Sequence, residues 1–118
     1  MNPWREIDAK LVTAAVRRLF LQANTCLGRD VEEALEDARD REESPLGRHV
    51  LSRILENASL ARKESLPICQ DTGLAVVFVE LGQDVHVVGG ALAEAVAEGV
   101  RHAYREGYFR KSVCDPIS

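Results

Sequence analysis

At 118 residues, 46% hydrophobic and 29% charged, the chain has the make-up of a soluble globular protein, long enough for one small domain or for one part of a larger one. A net charge of −4 argues against nucleic acid as the main partner, because phosphate neutralisation needs clustered Lys and Arg, and no apolar run approaches the length of a membrane span. Cys26, Cys69 and Cys114 are odd in number and form no CxxC pair, and the N-terminus carries no basic-then-apolar signal peptide, so the expected compartment is the cytoplasm, with reduced thiols.

Asn2-Pro3 offers a cap and an N1 proline, and Ile7, Leu11, Val12, Ala15, Val16, Leu19, Phe20 and Ala23 recur at helical spacing towards Asn24, which predicts a long first helix. Gly28 breaks the chain. Asp30 and Glu33 then have capping-box spacing, and Val31, Ala34, Leu35 and Ala38 form a narrow apolar stripe under the acidic run of residues 30–43, predicting a short second helix with a solvated acidic face. Ser44-Pro45 restarts the pattern as cap and N1 of a third helix, built on Val50, Leu51, Ile54, Leu55, Ala58 and Ala61, which Pro67 cannot continue.

Residues 74–81, "LAVVFVEL", are rich in β-branched types and bounded by Gly73 and Gly82, so they predict a strand apolar on both faces. "DVHVVGG" follows as a second strand, paired to the first through a Gly82-Gln83-Asp84 turn. Leu92, Ala95, Val96, Gly99, Val100, Ala103 and Tyr104 mark a fourth helix that Gly107 ends as its C′ residue. The expected class is α+β, mainly helical with about four helices and a small sheet around residues 74–81, the 118 residues forming one domain or part of one.

One stretch, "PICQDTG", carries more chemistry than a turn requires. Asp71, Thr72 and Gly73 suit a turn, since Asp and Thr bond their own backbone and Gly takes positive φ, but a turn does not call for Cys69 and Gln70 ahead of them. A lone Cys is most often a buried structural thiol. At the mouth of a turn its thiolate can also be a nucleophile, a redox thiol or a metal-cluster ligand. His49, His86 and His102 carry no peptidase signature, a second Cys two residues on is missing, and neither Cys26 nor Cys114 offers ligand spacing. Packing is the expected role of Cys26 and Cys114. His86 falls on the exposed face of a strand, His102 on an exposed helix position, and Gly89-Gly90 reads as a tight turn. Arg110 is either a surface arginine with its stem on Tyr108 or Phe109, or a planar pair of donors for a carboxylate.

"ENASLARKESLPICQDTGLAVVFVELG" followed by "GGALAEAVAEGVRHAYREGYFRKSVCDP" resembles the N-terminal part of the iron-sulfur-dependent class I fumarate hydratases and of the α-subunit of L(+)-tartrate dehydratases. That resemblance implies a hydro-lyase acting on a dicarboxylate such as fumarate or malate. It implies that Cys69 is one of three thiolates on a 4Fe-4S cluster whose open iron acts as a Lewis acid. It further implies that Gln70 and Asp71 face the substrate, Asp71 bonding the hydroxyl or moving its proton, and that Arg110 pairs with a substrate carboxylate, while Thr72 and Gly73 shape the loop. The other two cluster cysteines and the base belong to a C-terminal region or β-subunit outside this sequence, and Cys114 stands where the family has a small aliphatic residue. The isolated chain is accordingly expected to bind no stable cluster, to be inactive and to form a homo-oligomer. The contrasting expectation, from another class, is a helical module that assembles a complex without chemistry of its own.

Overall fold

The computed structural model describes residues 3–69 and 74–112. Their elements run β1 (Arg5–Asp8), α1 (Ala9–Thr25), α2 (Arg29–Arg41), α3 (Pro45–Glu64), β2 (Val85–Val88) and α4 (Leu92–Glu106). The class is α+β and mainly helical. The residues gather into two compact units: one holds the chain up to Leu21 together with the stretch from residue 74 onward, the other starts at Gln22 and reaches Cys69.

The second of these is a helical hairpin. Ser44 caps α3 as its sequence predicts, its hydroxyl accepting from the Gly47 N–H at 3.3 Å with Pro45 at N1. For α2 the expected capping box is absent: the cap is Gly28 without a side-chain bond, and Glu33 pairs with Arg29 at 2.6 Å instead. An i,i+4 partner within the helix outcompetes the reach back to the cap. No residue of α2 is buried, in keeping with its acidic face; an ion pair between Arg62 of α3 and Glu32 of α2, at 2.8 Å, links the two helices. The α3 helix ends on Ser65 in the left-handed region (φ 54°, ψ 40°), and the Leu66 N–H returns to the Ala61 carbonyl at 2.9 Å. Ala58 and Ala61 are its buried residues.

In the other unit the chain does not enter a helix at Pro3. Arg5–Asp8 pairs in parallel with Val85–Val88, Ile7 opposite Val87 and Glu6 opposite His86, and the Arg5 N–H donates to the Asp84 carbonyl at 2.7 Å. The first helix begins after this strand, where Asp8 accepts from the Lys10 N–H at 2.8 Å as an N-cap does. His86 faces outward as expected, its ring edge-on to Trp4 at 5.6 Å. The glycine pair after β2 is a turn, with Gly89 at φ 80°.

The small sheet is therefore not where residues 74–81 predicted it. Residues 74–81 form no ladder, and the Gly82–Asp84 turn, closed by Val85 N–H to the Gly82 carbonyl at 3.1 Å, leads into β2 without a preceding strand. Exposure along residues 74–78 still alternates: Leu74, Val76 and Phe78 are exposed while Ala75 and Val77 are half-buried, and Phe78 reaches 94%. A strand needs a neighbour for its N–H and C=O groups. Among the described residues no second backbone supplies one here.

Helices α1 and α4 meet through small residues. Ala95, Gly99 and Ala103 repeat every four positions and are all buried, and a Cβ placed on Gly99 would lie 2.7 Å from both the Thr13 carbonyl oxygen and the Val16 Cβ. The Thr13 hydroxyl donates to the Ala95 carbonyl at 2.9 Å. Tyr104 packs against Phe20 and, perpendicular at 5.5 Å, against the buried Phe109. Gly107 is the C-cap in right-handed conformation (φ −85°), not the left-handed C′ residue; the positive φ falls one residue later, on Tyr108 at 56°. That shift turns Phe109 back under the helix, where its ring would meet a Cβ on Gly107 at 2.5 Å.

Arg17 and Glu106 join the same two helices by two parallel bonds of 2.6 Å, with both side chains partly exposed. The Arg17 bond holds the Glu106 carboxyl below its ordinary range. A carboxylate depressed in the folded state adds stability above its unfolded pKa and loses it as pH falls through the folded one. We therefore expect Glu106→Gln to flatten the fall of melting temperature with acidification below about pH 4.5. Wild-type acid sensitivity in this variant, followed by circular dichroism, would contradict it.

Candidate functional site

Cys69 follows the left-handed end of α3, and two bonds hold the chain there. The Ile68 N–H donates to the Asn24 carbonyl at 2.8 Å while the Ile68 side chain is buried, and the Cys69 N–H donates to Asn57 Oδ1 at 2.9 Å, twelve residues back on α3. The residue itself is exposed. Within the described residues it is therefore not a buried structural thiol.

The surface beside Cys69 is a groove of about 350 Å³ along one face of α3. His49, Arg53 and Asn57 line it at intervals of four residues, with apolar Val50 and Ile54 beside them, and all five precede Cys69 within one unit. Arg53 is paired with Glu56 at 2.5 Å. An exposed thiol on such a surface can serve as a soft ligand or a nucleophile, and the groove adds a cation, an imidazole and an amide for an acidic group to meet. Among the described residues no three His, Cys, Asp or Glu side chains converge as a complete metal site.

Gln70, Asp71, Thr72 and Gly73 lie outside the described residues, as does Cys114. Arg110 belongs to the other unit, beyond α4; it is exposed, and its Nε donates to Ser112 Oγ at 3.2 Å. Cys26 is half-buried, less enclosed than a core thiol, with the Thr25 hydroxyl 3.7 Å from its sulfur. His102 bonds Glu98 at 2.7 Å, one turn back along α4. Asn57 was not among the residues singled out from the sequence. Its one signal there is position: an amide in the middle of the α3 apolar pattern, between Ile54 and Ala58.

Among the described residues, no helix is long and apolar enough to cross a membrane. A sequence model of the family described as fumarate hydratase (Fumerase) matches residues 13–118. A protein of Methanocaldococcus jannaschii named "Putative L(+)-tartrate dehydratase subunit alpha" is 33% identical over 108 residues, covering 91% of this chain and 38% of that protein. The aerobic class I fumarate hydratase of Escherichia coli K12 is 34% identical over 113 residues, 95% of this chain and 20% of its own length. The anaerobic class I fumarate hydratase of the same organism is 38% identical over 73 residues, 62% of this chain and 13% of its own length. The chain thus spans about two fifths of the first relative and a fifth of the second.

Proposed function

The chain belongs to the fumarate hydratase (Fumerase) family, and from that premise we propose that it is the N-terminal segment of an iron-sulfur hydro-lyase that adds water to fumarate to give L-malate, or removes it. The observation that carries this reading is the exposed Cys69 thiol on a backbone held by Asn24 and Asn57. The donor chemistry fits a cluster: one soft thiol reaches outward, and the remaining two ligands come from the rest of the enzyme. When bound, a 4Fe-4S cluster with three thiolates supplies one iron without a protein ligand as a Lewis acid.

The roles of this chain follow from its side chains. Cys69 would hold the cluster. The amide of Gln70 orients a carboxylate, Asp71 bonds the reacting hydroxyl or carries its proton, and Arg110 offers two parallel N–H donors to a carboxylate of the substrate. The rest of the enzyme, as a C-terminal region or a β-subunit, completes the site, in an assembly we expect to be a cytoplasmic homo-oligomer. The likeness to the α-subunit of M. jannaschii supports a second substrate, L(+)-tartrate, losing water by the same type of reaction.

Anaerobic reconstitution of the full-length enzyme with iron and sulfide, followed by assays with fumarate, malate and tartrate, tests the reading. A colourless protein without turnover of any of the three would end it. Arg110→Lys in that enzyme keeps the charge and loses the fork, so the cluster should remain while kcat/KM for the dicarboxylate falls roughly tenfold to a hundredfold. Wild-type kinetics would return Arg110 to a surface role.

A further inference from the structure

We propose that Asn57 is a positioning residue for Cys69, its amide oxygen setting the place from which the thiol is presented. The inference rests on the reading of Cys69 as a cluster ligand and extends it to the helix behind. At Ser65 the chain leaves α3, and a ligand on a loop of this kind would wander by its own backbone freedom. Here two successive N–H groups leading into the thiol are held. Ile68 is anchored by its buried side chain and by the Asn24 carbonyl at 2.8 Å. One residue on, the Cys69 N–H is taken by Asn57 Oδ1 at 2.9 Å.

Asn57 is well suited to the task. It is half-buried on α3, one residue from the buried Ala58, so its own backbone belongs to the most enclosed part of the hairpin. Its side chain is short, with only two torsions to set. The Cys69 amide would otherwise bond water and tolerate many orientations of the thiol. A cluster held by three thiolates needs each within a few tenths of an ångström of its place, and support behind a ligand is commonly worth 10–100-fold in metal retention.

The nature of the bond makes the proposal testable side chain by side chain. Asn57 acts here as an acceptor, so Asp keeps the function and Ala or Leu removes it. The first readout is hydrogen exchange of the Cys69 amide in the chain as it stands, without any cluster. In Asn57→Ala we expect exchange at Cys69 to accelerate by about tenfold, the equivalent of one hydrogen bond, with helix content unchanged, and Asn57→Asp to restore protection. The second is iron and acid-labile sulfide per chain in the reconstituted full-length enzyme. Asn57→Ala should lose iron to a chelator 10–100-fold faster than wild type, and Asn57→Asp should not.

The outcomes separate the two ideas. If Cys69→Ser keeps a full cluster, the ligand reading itself fails. If Cys69→Ser loses the cluster while folded Asn57→Ala retains it at the wild-type rate with unchanged exchange at Cys69, the positioning role fails and the ligand reading stands. Should Asn57→Ala unfold, the Asp variant alone decides: faster iron loss in a folded Asn57→Asp enzyme overturns the acceptor role.

Discussion

Serine in place of Cys69 is expected to strip the full-length enzyme of its cluster and to take hydration of fumarate below detection. A hydroxyl is nearly the size of a thiol, so the backbone clamp from Asn24 and Asn57 should survive the change. What changes is the donor: an alcohol stays protonated at neutral pH and is a hard, weak ligand where iron in a sulfide cluster prefers a soft thiolate. Removing a ligand should exceed the roughly 10–100-fold effect of removing groups that only support one. Cys26→Ser and Cys114→Ser serve as controls and should keep both iron and activity. Iron, sulfide and the visible absorption of the reconstituted proteins are the measurements, and an unchanged cluster in the Cys69 variant would show that the thiol is no ligand.

The largest loss of stability is expected from Gly99→Leu. Its Cβ alone would stand 2.7 Å from the Thr13 carbonyl oxygen and 2.7 Å from the Val16 Cβ. Neither can swing aside, since one is backbone inside α1 and the other the root of a β-branched side chain. Alanine at this position gains about 1 kcal/mol of helix propensity, yet the forced separation of α1 from α4 costs about 1–3 kcal/mol and also lengthens the Thr13–Ala95 bond, so it should be a net loss. Leucine adds three more carbons to a space with no room for the first, and a fall of melting temperature by at least about 10 °C follows. Gly82→Ala is the control, its Cβ meeting only Val85 at an ordinary 3.5 Å. Trp4, the single tryptophan, meets His86 edge-on and reports this unit by fluorescence. A Gly99→Leu protein as stable as wild type would mean that the helices have room to part.

The helices were legible because their signals are local. The stripe of Ala95, Gly99 and Ala103, the Ser44-Pro45 cap and the spacing of Val50, Ile54 and Ala58 each fall within a few turns of chain. The sheet was legible only in half: the strand expected in "DVHVVGG" is β2, but its partner was missed, for the opposite reason. "REID" has a single β-branched residue, and it becomes a strand only because Val85–Val88 lies beside it, whereas residues 74–81 have every intrinsic preference for a strand and no described neighbour. The site divided along the same line. Cys69 was marked by residues adjacent in sequence, but the bond from Asn57 depends on how the chain returns after Pro67, which no spacing in the sequence announces.

The two units also differ in when they can exist. The hairpin from Gln22 to Cys69 is one continuous stretch, and α2 and α3 find each other across a three-residue connection. The other unit is split: β1 and the start of α1 are made first, and Thr13 meets Ala95 only across a separation of 82 residues. At about 5–20 residues per second, that interval is roughly 4–16 s during which the ribosome has delivered α1 but not yet α4. The face of Val16 destined for Gly99 stays open through all of it, while the hairpin, whose contacts are close in sequence, needs only microseconds to milliseconds once its own residues have emerged. Vectorial synthesis therefore gives the hairpin the first opportunity to assemble, since the support for Cys69 leaves the ribosome ahead of the surface that carries Arg110.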